Sequence, residues 1–229
     1  LQLDAAKVEK MPGVVAVVRN GSFLAVVAQR EEQAIAAQAA IKRLAKWKLA
    51  QDLPASLPSW FKQMKQKPSV DTVVGVKQGS AGAPTKTLTA QFTKPFTAHG
   101  SIGPSCAIAH LQDGVMKVWT HSQGMYPLRT DLVKVLGLPA EKVVCIHQEG
   151  SGMYGQSGAD DVALDAALIA NTLPSKPIRL QWMREDEFKS EPYGSAMIIQ
   201  IDASLDATGK VVDWKHELWS NTHSTRQIG

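Results

Sequence analysis

Two β-branched runs, Val14 to Val18 and Phe23 to Ala28, flank the pair Asn20-Gly21. Both turn residues tolerate positive φ, so the pattern predicts a β-hairpin. From Glu31 to Leu49 the apolar positions Ala37, Ile41, Leu44 and Ala45 recur at helical spacing. Glu31 and Glu32 open that stretch while Lys42, Arg43, Lys46 and Lys48 crowd its end, a polarity that suits the helix dipole. Residues 1–50 therefore read as a β-β-α unit. Between residues 51 and 85 the periodicity stops. Pro54, Pro58 and Pro68, then the run from Gln78 to Pro84, read as an extended connector with a domain boundary in it.

From residue 86 the pattern becomes α+β. Thr87 to Thr93, Cys106 to His110 and Val115 to Thr120 read as strands, the last two joined through Asp113-Gly114. Pro127 to Leu136 reads as a helix that starts near a proline and is stopped by Gly137 and Pro139. Val143 to His147 is a further strand. Ala159 to Leu173 follows as an alanine- and leucine-rich helix opened by Asp160 and Asp161. Ile178 to Met183 reads as a strand, and Ala196 to Leu205 pairs with Val211 to Trp219 across Ala207-Thr208-Gly209-Lys210.

Composition narrows the function classes. Of 229 residues, 44% are hydrophobic and 20% charged, which is enough apolar material for one or two cores. A net charge of +4, spread over this length, gives only a weak attraction to anions and does not call for nucleic acid. The basic stretches Lys42 to Lys48 and Lys62 to Lys67 read as solvated faces, since aromatics do not interleave with them for base stacking. No apolar run approaches the roughly 18 residues a membrane-spanning helix needs. Cys106 and Cys145 cannot make a disulfide framework and leave the compartment open. The chain starts at Leu1, and both ends read as cut.

The segment with most chemistry in it is Gly150-Ser151-Gly152-Met153-Tyr154-Gly155, a G-x-G-x-x-G string after a strand and before a helix. Glycines there let backbone N–H groups approach an anionic ligand. A dinucleotide site of the Rossmann type would start its helix inside the motif, yet Gln156-Ser157-Gly158 intervene. It would also place an acid about 20 residues on, and Ala170 to Ser175 carries none. A structural glycine-rich turn is the plainer alternative.

The wider context resembles one family. Thr120-His121-Ser122-Gln123-Gly124, a helix, then Val143 to Gly158 with its aromatic-Gly pair Tyr154-Gly155, is similar to the first cofactor-binding domain of the xanthine dehydrogenase and aldehyde oxidase molybdenum hydroxylases. Gln181-Trp182-Met183-Arg184-Glu185-Asp186-Glu187-Phe188 resembles the family's acidic-aromatic strand end, and Ala98 to Pro104 its domain-opening segment. Met11 to Ala16 resembles the end of the preceding hammerhead domain. The loop Gly-Ser-Gly-Met-Tyr-Gly, followed by Gly158-Ala159-Asp160-Asp161, places the resemblance nearest the branch with isoquinoline 1-oxidoreductase, nicotinate dehydrogenase and bacterial aldehyde dehydrogenases.

The resemblance implies an α+β fold: the end of an α/β-hammerhead domain over 1–50, a connector over 51–85 and an incomplete first molybdopterin-binding domain over 86–229. It implies a molybdopterin cofactor with molybdenum, as a cytosine dinucleotide. The protein would hold it through Gln123, Gly124, Gly152, Met153, Tyr154 and Gly155. In that reading the Gln123 amide donates to an oxo group, the Gly155 N–H donates nearby, Tyr154 packs beside it and Gly152 lets the chain pass close to the pterin. The implied reaction oxidises an aldehyde or N-heteroaromatic small molecule with oxygen from water. Its glutamate base belongs to a second cofactor domain, so no catalytic residue is assigned here, Glu149 reading as a loop carboxylate. Where the family has an acid shortly after the aromatic-Gly pair, this chain has Gln156, Ser157 and Gly158, which changes the substrate contacts. No cysteine cluster is present for iron–sulfur centres. The remaining part of the molybdopterin subunit and an iron–sulfur subunit are thus the implied partners, and the isolated chain is expected to be inactive.

Other readings stay lower. Cys106 with His110 and Cys145 with His147 have spacings foreign to common zinc sites and read as buried thiols and strand histidines. Gly-x-Ser-x-Gly, His-Glu-x-x-His and a phosphate loop are all missing. A non-catalytic binding module of the same fold, or a nucleotide binder using Gly150 to Gly155, remain as alternatives.

Overall fold

A computed structural model of the chain describes residues 2–48, 54–66, 75 and 82–222. In chain order the first elements are α1 (Ala6–Glu9), β1 (Val14–Asn20), β2 (Phe23–Ala28), α2 (Glu31–Leu44), α3 (Leu57–Gln66) and β3 (Lys86–Lys94). Next come β4 (Cys106–Gln112), β5 (Val115–Thr120), α4 (Met125–Leu136), β6 (Val143–His147) and α5 (Ala159–Thr172). The last are β7 (Ile178–Gln181), α6 (Arg184–Ser190), β8 (Met197–Leu205) and β9 (Val211–Ser220). The chain divides into two compact units: one from the described residues of Leu1–Asp52 and Gly100–Glu191, the other from those of Leu53–His99 and Pro192–Gly229.

The first unit is built on a four-stranded sheet ordered β6-β5-β4-β7. β4 runs antiparallel to both β5 and β7, while β5 and β6 are parallel and joined through α4. The tight connection between β4 and β5 needs positive φ at both loop residues, and Asp113 (φ 50°) and Gly114 (φ 72°) supply it. Alternation then sorts the sheet: Ala107, Ala109, Met116 and Val118 share one face and are buried against α5. α5 fits so closely because its sheet side is Ala159, Ala163, Ala166, Ala167 and Ala170, none more than 1% exposed. α4 adds Leu128 and Leu132 to that core and ends at Gly137 in the left-handed conformation (φ 65°).

The hairpin β1–β2 packs against other elements on both faces. Val15 forms a bulge, since Val14 pairs with Ala28 and Ala16 already with Val27. Ala16, Val18, Phe23, Ala25 and Val27 join the main core. Val14, Val17, Leu24 and Val26 pack with α1 and α2 around Val8, Ala37 and Ile41.

In the second unit β3, β8 and β9 form an antiparallel sheet in that order. Its Thr/Gln-rich face carries α3: Lys65 Nζ reaches Gln91 Oε1 (3.0 Å) and sits 4.5 Å from the Trp219 ring centroid. The rows Leu88–Ala203–Trp214 and Phe92–Ile199–Leu218 lie on the opposite face.

Several local expectations are corrected. The hairpin turn is Gly21-Ser22, because Asn20 pairs with Phe23 and positive φ falls on Gly21 (φ 59°). α2 ends at Leu44, before the expected Leu49. Ala45 is extended, and Lys46 exchanges backbone bonds of 3.0 and 2.9 Å with Gln2, so tertiary pairing captures the chain that propensity alone would have kept helical. The expected connector contains α3, whose Pro58 falls in the first turn, where proline is tolerated. Ser56 Oγ accepts from the Ser59 N–H at 3.3 Å as its cap. Most of the Gln78 to Pro84 run lies outside the described residues. The acidic segment after β7 is a helix, α6, in place of a strand end. Asp186 accepts from the Met183 N–H at 3.2 Å, and three acids occupy its first turn. Among the described residues no helix is long and apolar enough to cross a membrane.

Candidate functional site

Because β5 and β6 are parallel, their carboxyl ends lie side by side, and two loops leave from them: residues 121–124 and 148–158. Crevices at such strand ends are where open sheets collect ligands. Here the two loops enclose an open cavity of about 330 Å³ lined by His121, Ser122, Gln123, His147, Glu149, Gly150, Gly152 and Met153. A neighbouring cavity of about 220 Å³ is lined by Cys106, Ile108, Trp119, Gln148 and Ser151 among others; His121, Glu149 and Gly150 border both.

The lower loop is short and internally braced. Ser122 Oγ accepts from the Gly124 N–H (3.0 Å), and Gly124 leads into α4. That leaves Gln123 exposed at the cavity rim between two buried residues and Gly124. His121 is only 8% exposed, and its Nε2 accepts from the Cys106 N–H at 3.3 Å. Burial is the main reason its pKa lies below the usual histidine value; Glu187 and Asp160 pull the other way, and His147 adds to the lowering. Its Nδ1 is buried and has no hydrogen-bond partner among the described residues.

The upper loop is held open by glycines. Gly152 (φ 88°) and Gly155 (φ 138°) adopt conformations that side chains disfavour. A Cβ at Gly152 would lie 2.8 Å from the Tyr154 ring, and one at Gly150 2.6 Å from His121 Cγ. Tyr154 is itself left-handed (φ 53°) and 62% exposed. Ser157 Oγ donates to the Met153 sulfur at 2.8 Å, which turns the loop toward α5.

A second set of contacts fixes both ends of this loop. Ser151 Oγ donates to the Gly103 carbonyl (2.9 Å), and the Ile102 N–H to the Ser151 carbonyl (3.3 Å). Glu187 of α6 is fully buried. Its carboxylate accepts from the Ser105 N–H (2.7 Å), Ser105 Oγ (3.1 Å) and the Gly158 N–H (3.3 Å). Arg184 donates to the carbonyls of Ser101 and Ile102. The Gln181–Phe188 segment is thus a clamp on the segment 101–105 and on the start of α5.

Of the six residues singled out in the sequence, Gln123, Gly152 and Met153 come together in the cavity wall. Gly124, Tyr154 and Gly155 flank it. The cavity wall also holds His121, His147 and Gly150, which the resemblance does not assign to the cofactor. The four residues Cys106, His110, Cys145 and His147 do not converge, since β5 separates β4 from β6. Among the described residues no group of three or more His, Cys, Asp or Glu could hold a metal ion. The glycine string also departs from a dinucleotide site, because α5 begins only at Ala159.

A family model described as "Molybdopterin cofactor-binding domain" matches residues 63–228, well over half the chain. The chain belongs to that family. This molybdopterin-binding domain fragment is related to the large subunits of the xanthine dehydrogenase and aldehyde oxidoreductase family. It is 36% identical over 214 residues to a subunit of the nicotinate dehydrogenase of Pseudomonas putida, covering 92% of this chain and 18% of that one. It is 28% identical over 163 residues to the aldehyde oxidoreductase molybdenum-binding subunit PaoC of Escherichia coli, covering 69% and 22%. The chain thus spans about a fifth of the length of these relatives. Among solved structures, quinoline 2-oxidoreductase of Pseudomonas putida 86 superposes with a TM-score of 0.72 at 14% identity, over 95% of this chain and 33% of that one. The aldehyde oxidoreductase of Desulfovibrio gigas gives 0.66 at 15% identity, over 92% and 28%. At those identities the likeness is one of fold.

The residues present fit a molybdopterin-type group. Such a group presents oxo and phosphate oxygens, all acceptors, and the molybdopterin-binding domain offers donors: the Gln123 amide and the orphaned Nδ1 of His121. The missing side chains at Gly150 and Gly152 let the His121 and Tyr154 rings pack directly against the loop that carries these donors.

Proposed function

We propose that this chain forms one wall of the molybdenum-cofactor site in a hydroxylase that oxidises an aldehyde or an N-heteroaromatic small molecule, with water as the oxygen source. The observation that carries the reading is the meeting of Gln123 with Gly152 and Met153 across the parallel strand ends, inside the segment that matches the family model. In this reading residues 1–50 end a hammerhead domain and 86–229 begin the cofactor domain. The cofactor is the cytosine dinucleotide form of molybdopterin. The rest of the large subunit and an iron–sulfur subunit complete the enzyme.

The bound group would supply the two-electron redox chemistry. The chain's own residues bind and orient it. The Gln123 amide donates a hydrogen bond to an oxo oxygen, and the Gly155 N–H donates beside it. Tyr154 packs over Gly152, whose missing Cβ makes room for its ring at the edge of the site. Met153 closes the apolar side, held by Ser157. Glu187 anchors the end of the 148–158 loop through Ser105 and Gly158, which orders that loop before the group arrives.

Elemental analysis of the purified protein for molybdenum, iron and zinc, together with its native mass, tests the reading. Near-stoichiometric molybdenum in a species well above 24.8 kDa is the expected outcome. Stoichiometric zinc without molybdenum would overturn it.

A further inference from the structure

Nothing in the proposed role explains why a buried imidazole sits under the loop junction with one nitrogen unused. The donor–acceptor assignment is fixed by the backbone. The Cys106 N–H can only donate, so His121 Nε2, 3.3 Å away, must accept and carries no proton. A neutral imidazole bonded this way has its proton on Nδ1. That Nδ1–H is buried, meets no acceptor among the described residues, and lies against Gly150, where a Cβ would be 2.7 Å away. An unsatisfied donor in such a place costs free energy unless a ligand or water completes it. His121 borders the same cavity as Gln123.

We propose that His121 is a further binding residue of this site: held as the Nδ1–H tautomer by the Cys106 N–H, it donates beside Gly150 to an oxygen acceptor of the bound group, an oxo or phosphate oxygen. The proposal rests on the cofactor reading and deepens it. It also assigns Gly150 a purpose separate from anion approach, since any side chain there would displace the imidazole. Burial holds the ring neutral, and the groups facing it, Glu187, Asp160 and His147, are those that act on its charge. The acceptor it selects is therefore one that takes a neutral N–H donor.

Two measurements test it. Long-range ¹H–¹⁵N correlation spectra of this chain at pH 7.5 are expected to show His121 as the Nδ1–H tautomer; the Nε2–H tautomer or an imidazolium would overturn the proposal. The second uses the longest natural polypeptide that carries these residues, produced in cells that make the cofactor, and reads molybdenum content and thermal midpoint. Asparagine places an amide near the Nδ1 edge of the ring and glutamine near Nε2. His121→Asn is expected to keep molybdenum within about twofold of wild type, and His121→Gln to lose about tenfold, the worth of one hydrogen bond to a bound group. The reverse order, with similar midpoints for both variants, would make His121 a structural partner of Cys106 alone. Equal content in all three would leave only an ordered water on Nδ1 and also overturn the proposal. Wild type without molybdenum would instead sink the cofactor reading on which it stands.

Discussion

The Trp182 ring occupies the space that a side chain on Gly158 would need: a Cβ built there lies 2.1 Å from Cζ3. Gly158 has an ordinary backbone (φ −76°), so its glycine is demanded by this contact and not by conformation. The Trp182 backbone N–H donates to the Ser105 carbonyl at 3.0 Å, which anchors that residue's main chain.

Gly158→Ala is accordingly expected to destabilise the chain by about 1–3 kcal/mol, the range for overpacking. Trp182→Leu costs stability alone but should recover most of the loss when combined with Gly158→Ala. A double-mutant cycle by urea denaturation measures the coupling; additive effects would mean the loop moves aside without strain.

Glu187 gathers three donors from two segments distant in sequence, Ser105 and Gly158, with no exposed surface. Glu187→Ala strands all three and opens a void, at a cost of about 3–5 kcal/mol. Glu187→Gln keeps the shape but offers one acceptor oxygen, so it should fall between. Denaturant midpoints at constant m-value check the order, and proteolysis near residues 148–158 should accelerate in step with it.

How much of this was legible beforehand follows the reach of each signal. The strands from β4 to β9 and the helices α4 and α5 were readable because alternation, Ala/Leu periodicity and Asp-Gly or Gly stops are local. The end of α2 was not, since it is set by Lys46 pairing with Gln2, more than forty residues away. Pro58 read as a breaker, yet Ser56 turns it into a helix start. Gln123, Gly152 and Met153 stand out in the sequence only through a resemblance in order and type. His121 gives no signal in the sequence, because its hydrogen bond to Cys106 and its contact with Gly150 are not periodic. Glu187 looked like part of a charged run. Only the fold shows that this one acid of the run points inward.

Gly152 combines both reasons for glycine, a φ of 88° and a Cβ position 2.8 Å from Tyr154. Gly152→Ala is expected to cost about 1–2 kcal/mol from backbone strain. Tyr154→Ala should relieve the contact but not the strain, so the double variant recovers only part. A full recovery would show that the positive φ is not required for the loop.

Asp165 sits part-buried on α5, one turn from Asp161, and its pKa is raised to about 6, chiefly by burial and then by the Asp161 charge. The native state therefore holds a proton that the unfolded chain, with an ordinary value near 3.8, has released. Between those two values the folded form binds more protons, so stability falls as pH rises. The contribution is complete below about pH 4 and gone once the pH passes about 6. Asp165→Asn removes the charge that has to be desolvated. It is expected to raise the thermal midpoint at pH 7 while leaving it nearly unchanged at pH 4, flattening the slope in between. Calorimetry of both proteins across that range decides the matter: a gain of the same size at pH 4 and pH 7 would trace the effect to packing and not to ionisation.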